Sequence, residues 1–258
     1  MNTAKVNWKA VIVYYVLACA ISWPFFWWRD MENESFRAWQ IPGILKSATY
    51  MWGPGLAAII CFFIFRKTHI RTISFGGTSW LYSLSFYWVP LLALAAAGAP
   101  NREGIPPHLF PLALGIMAVF TILGEELGWR GFLQDALRPL PRAYRYILIG
   151  VLWEAWHFTN RTSQGSLQEI LLRVGLFTIF TIVLSFIMGE ATDRSKSLIV
   201  AVTLHAWVNL VFELPQTSTY IIAALCVPFW AFLLYKWPQH KVSVAENPVA
   251  EHKPAPVT

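Results

Sequence analysis

The segment AVFTILGEELGWRGFLQ, residues 118–134, sets two acids and a base inside an otherwise apolar run: Glu125, Glu126 and Arg130. On a helix, neighbours such as Glu125 and Glu126 point about 100° apart, whereas Glu126 and Arg130, four residues apart, nearly share a face. The spacing therefore predicts an ion pair between Glu126 and Arg130. Glu125 is left without a cation on its own helix and turned toward another neighbour. Ionisable groups within an apolar span are costly and mark function, and a carboxylate with no fixed cation is suited to take a proton from water.

Two more polar clusters interrupt later apolar runs. GVLWEAWHFTN, residues 150–160, sets Trp153 and Glu154 about one turn before His157, and VAVTLHAWVNL, residues 200–210, sets His205 and Asn209 four apart on one face. A carboxylate and an imidazole that share a water can deprotonate it. A second imidazole and an amide can donate to an oxyanion, which completes the parts for peptide hydrolysis without a covalent intermediate. Glu125, His157 and His205 would equally make a three-ligand zinc site with water in the fourth position. Neither G-x-S-x-G nor H-E-x-x-H occurs. Glu154 either bonds to His157 or faces a wet cavity, while Glu169, Arg173 and Glu190 lie close enough to span ends to snorkel.

The elements that must carry these clusters follow from composition. The 258 residues are 56% hydrophobic, 16% aromatic and 13% charged, with a mean hydropathy of +0.48. About 20 apolar residues cross a bilayer as a helix, and eight such runs are found at roughly 8–28, 45–65, 80–98, 109–135, 146–159, 167–190, 197–213 and 219–236. The expectation is an all-α, polytopic bundle of about eight transmembrane helices over residues 1–237, with its catalytic core at 109–213. The Pro-rich polar tail, 238–258, is expected to be disordered. Cys19, Cys61 and Cys226 sit singly in apolar runs and read as packing residues.

The formal charge of +6 does not form a basic face, so nucleic acid is not an expected partner; topology accounts for it. With the N-terminus inside, the cytoplasmic side holds Lys5, Lys9, Arg66, Lys67, Arg71, Arg138, Arg142, Arg145, Arg194, Lys196, Lys236, Lys241 and Lys253. The other side holds Arg29, Arg37, Lys46, Arg102 and Arg161. That excess sets both termini in the cytoplasm and the chain in the cytoplasmic (inner) membrane. At 1.5 Å per residue, Glu125 lies about 20 Å from Arg138, His157 about 18 Å from Arg145 and His205 about 14 Å from Lys196. The three clusters can share one level, expected to be reached from the cytoplasm.

E-E-x-x-x-R at Glu125, Glu126 and Arg130, aromatic-x-x-x-H at Trp153 to His157 and H-x-x-x-N at His205 to Asn209, in this order on successive spans, resemble the CPBP intramembrane proteases. That family includes CAAX prenyl endopeptidases and bacteriocin-processing or immunity-type proteins. The resemblance implies that Glu125 and His157 activate water, that His205 and Asn209 stabilise the oxyanion, and that Glu126 and Arg130 support them. It implies membrane lipids and a lipidated (CAAX-like) or membrane-embedded substrate as partners, and either no cofactor or a zinc ion. Trp153 departs from the family, which usually has Phe there, and Glu154 is an acid the motif does not require. The competing functions are an ion- or proton-coupled transporter, disfavoured by the lack of an internal repeat, and a non-catalytic immunity or scaffold protein on the same fold.

Overall fold

The computed structural model describes residues 5–30, 48–101, 104–161, 165–214 and 216–238. Eight α-helices account for most of them: α1 (Trp8–Asp30), α2 (Gly53–Ile64), α3 (Trp80–Ala97), α4 (Phe110–Glu126), α5 (Arg142–Arg161), α6 (Leu167–Ser195), α7 (Leu198–Glu213) and α8 (Thr217–Lys236). Each expected span finds its helix, with ends within a few residues. The first residues of the second span, 45–47, and the tail 239–258 lie outside the described residues.

Five of the helical runs are long and apolar enough to cross a membrane: those at 8–28, 80–97, 110–136, 167–195 and 217–236. The others differ from the expectation for physical reasons. With 12 and 16 residues, α2 and α7 extend about 18 and 24 Å, short of the roughly 30 Å of hydrocarbon. Helix α5 has 20 residues, but Arg142, Arg145 and Glu154 reduce its hydropathy. Helix α7 is an inner helix, packed against α4, α6, α3 and α8, and α2 is wedged among α1, α4 and the segment that follows α4. Glu154 and His157 on α5 and Thr203 and His205 on α7 are buried against protein.

Immediately after Glu126 the fourth span widens into a π-helix over Leu127–Leu133, then resumes as α-helix over Gln134–Ala136. The Gln134 N–H bonds to the Trp129 carbonyl, five residues back. Such wide turns tend to occur at functional sites. Trp129, Phe132 and Leu133 are wholly buried on it. Glycines allow α2 to approach closely. A Cβ on Gly124 would lie 2.8 Å from the Trp52 backbone, and one on Gly128 2.5 Å from Pro54. A Cβ on Gly131 would meet nothing nearer than Leu127, at 3.2 Å.

One end of the bundle is fastened by charge. The Asp135 carboxylate accepts from the Thr72 N–H at 2.6 Å, the Thr72 hydroxyl and Arg138. Asp193 at the end of α6 accepts from Arg138, Arg145 and the Tyr146 hydroxyl. Ser74 exchanges backbone bonds with Lys196 and Leu198, which fixes the α6–α7 turn. Arg142 pairs with Glu190, and Arg194 donates to the Leu234 and Tyr235 carbonyls at the end of α8. Arg138, Arg142, Arg145, Arg194 and Lys196, which the sequence assigns to one side, thus gather at one end.

Candidate active site

The end of α4 delivers Glu125 and Glu126, α5 delivers Trp153 and His157, and α7 delivers His205 and Asn209. Glu125, Trp153, His157, His205 and Asn209 line one cavity of about 540 Å3 whose remaining wall is apolar, with Phe177, Phe180, Leu184, Val208 and Phe212 among its members. Glu125 is 2% exposed. Its Oε2 accepts a 2.8 Å hydrogen bond from the Trp153 indole N–H. The acid with no cation on its own helix is thus held by a neutral donor from α5.

Glu126 is completely buried and performs two tasks. Arg130 Nη1 lies 2.9 Å from each of its oxygens, and His205 Nδ1 lies 2.7 Å from its Oε1. The ion pair read from the four-residue spacing forms, and the carboxylate also holds an imidazole brought by α7. A carboxylate only accepts, so Nδ1 of His205 carries the hydrogen and its Nε2 is the working atom. Arg130 donates in turn to the Ser185 hydroxyl on α6 at 3.3 Å. Its guanidinium lies 4.7 Å over the Trp153 ring, whose edge meets the His205 ring at 5.0 Å between centroids.

His157 Nδ1 lies 3.0 Å from the Trp153 carbonyl. A carbonyl cannot donate, so the neutral ring keeps its hydrogen on Nδ1 and its Nε2 becomes the acceptor. Trp153 is therefore in contact with Glu125, Arg130, His157 and His205. The signal was present in the sequence, since Trp in place of Phe adds an N–H, but spacing alone names no acceptor for it. No spacing links Glu126 to His205 either, 79 positions away.

Glu126, Arg130 and Glu154 are buried but do not line the cavity. For Glu154 this differs from the wet position considered above, because the α5 face that meets the cavity carries Trp153 and His157. The three zinc-ligand candidates share the cavity, yet among the described residues no three of His, Cys, Asp and Glu come together to hold a metal ion. Trp153 engages one oxygen of Glu125 and Glu126 engages Nδ1 of His205.

Toward the basic end, Trp129, Phe132 and Leu133 of the π segment are buried, and the cavity lining also includes Met51, Leu176 and Phe212.

Fold and site together define a multi-pass helical membrane protein with an acid–imidazole cluster inside its bundle. Residues 107–211, which contain every one of these groups, match the family model described as Type II CAAX prenyl endopeptidase Rce1-like. A CAAX prenyl protease 2 of Methanococcus maripaludis is 33% identical over 115 residues, 42% of this chain and 40% of that relative. The match spans less than half of either protein. The site-bearing region is similar to the CAAX proteases, the family its three motifs resemble.

Proposed function

We propose that the protein is an intramembrane endopeptidase of the cytoplasmic membrane that hydrolyses a peptide bond of a lipidated or membrane-embedded substrate. The observation that carries this reading is the Glu125 carboxylate, fixed by Trp153 at the wall of a cavity shared with both imidazoles and Asn209. Glu125 takes a proton from a water that also hydrogen-bonds to His157 Nε2, and the water oxygen attacks the carbonyl carbon. His205 Nε2–H and the Asn209 amide donate to the resulting oxyanion. Glu125 then returns its proton to the departing amine as the C–N bond breaks.

The charge inventory supports the role of His205. With Glu125 and Glu126 ionised and Arg130 cationic, the group carries one excess negative charge. A donor role for Nε2 requires a proton on each nitrogen of the His205 ring, a charge that the excess carboxylate favours. Zinc is assigned no part in this scheme.

Purified protein in liposomes is expected to release a new N-terminus from a membrane-anchored reporter peptide, at the same rate before and after chelation of divalent metals. Solute flux without cleavage would replace this reading with the transporter, and loss on chelation restored by zinc would replace the metal-free scheme.

Trp153 is the positioning residue of this scheme. Trp153→Phe keeps an aromatic ring but deletes the donor to Glu125, a charge-assisted bond of about 1.5–3 kcal/mol. Steady-state kinetics on the reporter are expected to show kcat reduced about tenfold or more, with KM nearly unchanged. An unchanged kcat would reduce Trp153 to a packing group.

A further inference from the structure

A second cavity, of about 350 Å3, lies where three spans end. Lys5 and Asn7 on its wall precede the first turn of α1, Thr68 and His69 follow the end of α2, and Arg138 and Pro139 follow the end of the fourth span. The wall therefore stands at the level of the lipid headgroups rather than within the hydrocarbon. Trp8, half exposed on that first turn, is a residue type that settles at the same level. The cavity shares no residue with the one that Glu125 lines.

Its charge is one-sided. Lys5, His69 and Arg138 line it, and Lys9, Arg66, Lys67 and Arg71 are exposed in the chain segments beside them. Residues 5–10 and 65–73 include no acid, and among the described lining residues Asp135 is the sole one. That carboxylate is already engaged, since it accepts from the Thr72 N–H and hydroxyl, from the Ile73 N–H and from Arg138. Arg138 donates through Nε and Nη2 to Asp135, Thr72 and Asp193, which leaves its Nη1 with no acceptor among the described residues.

His69 supplies the observation that points to a ligand. Its ring stacks on Phe132 at 4.3 Å between centroids, with the planes 11° apart, and meets Phe62 edge-on at 5.4 Å, so its direction is fixed. Its Nε2 is buried and has no hydrogen-bond partner among the described residues. A buried polar atom of that kind costs stability until something bonds to it. We propose that the cavity binds the headgroup of an anionic membrane phospholipid, whose phosphate oxygens accept from Lys5, His69 Nε2–H and Arg138 Nη1. Basic pockets between spans hold acidic headgroups in this way. A zwitterionic headgroup suits the site less, because its ammonium would meet Lys5 and Arg138 while Asp135 is engaged elsewhere. A free phosphate has the same oxygens, but the position of the wall at the headgroup level favours the lipid.

Native mass spectrometry of the full chain, delipidated in detergent and titrated with lipid, tests this. Phosphatidylglycerol is expected to bind about tenfold more tightly than phosphatidylcholine with the same acyl chains. Lys5→Gln should weaken phosphatidylglycerol about fivefold. His69→Phe keeps a ring on Phe132 but removes the nitrogen, and should weaken it by a similar factor. Lys236→Gln, at the exposed end of α8 and away from the cavity wall, should leave the affinity within about twofold. Equal affinity for the two lipids, or a loss in Lys236→Gln as large as in Lys5→Gln, would reduce the effect to diffuse surface charge and overturn the site. Displacement of the bound lipid by millimolar inorganic phosphate would overturn the lipid as occupant in favour of a free anion. No arm of the experiment measures peptide hydrolysis, so its outcome is independent of the endopeptidase reading.

Discussion

Glu125→Gln is expected to reduce peptide hydrolysis by about a thousandfold or more while leaving the protein folded. The amide is nearly isosteric, and its carbonyl oxygen can still accept from Trp153. What it cannot do is take a proton from water and return it to the leaving amine, a contribution worth roughly 10²–10⁴ in rate. Among the described residues no ion pair involves the Glu125 side chain, so its neutralisation breaks none. Thermal unfolding in detergent should therefore stay within about 1 kcal/mol of the parent. The informative result is the contrast between lost turnover and preserved stability. A variant that still cleaves at more than a tenth of the parent rate would remove Glu125 from the role of base, and one that fails to fold would make it architectural.

Glu126→Gln should behave in the opposite way, with stability lost first. Its carboxylate is the common acceptor for Arg130 and His205, and all three side chains are buried. Removing its charge leaves a guanidinium facing an amide in a low-dielectric interior, and truncating one partner of a buried pair costs about 3–5 kcal/mol. A fall of roughly 10 °C in the unfolding midpoint is the expected reading. Whatever turnover survives should also be reduced, because His205 loses the group that fixes its tautomer. The double variant Glu126→Gln with Arg130→Gln removes both charges and should recover part of the lost stability. If the double variant is destabilised by the sum of the single effects, the two groups are not coupled and the ion pair contributes nothing.

Much of the fold was legible because each apolar run had only one economical fate in a bilayer. The helix ends at Trp8, Trp80, Leu167 and Lys236 follow from where the runs stop. The three clusters were legible for the same reason, since Glu125, His157 and His205 stand out against Leu, Val and Phe. The rest depended on information that periodicity does not carry. The Glu126–His205 bond joins helices that are remote in sequence, and only tertiary packing brings α7 against α4. The indole bond from Trp153 to Glu125 has the same origin. The π segment has no local signature here beyond two glycines.

The wide turn at Leu127–Leu133 adds a phase offset to the fourth span. Below it, Gln134 and Asp135 keep their register with the fastened end; above it, the two acids are rotated relative to where an uninterrupted α-helix would point them. Winding the same seven residues as α-helix, with hydrogen bonds to the fourth residue, would swing everything above by about 100°. Spanning length would hardly alter, yet Glu125 would leave its indole partner and Glu126 its imidazole. The segment is therefore a place where the winding of the backbone sets which acid faces the water.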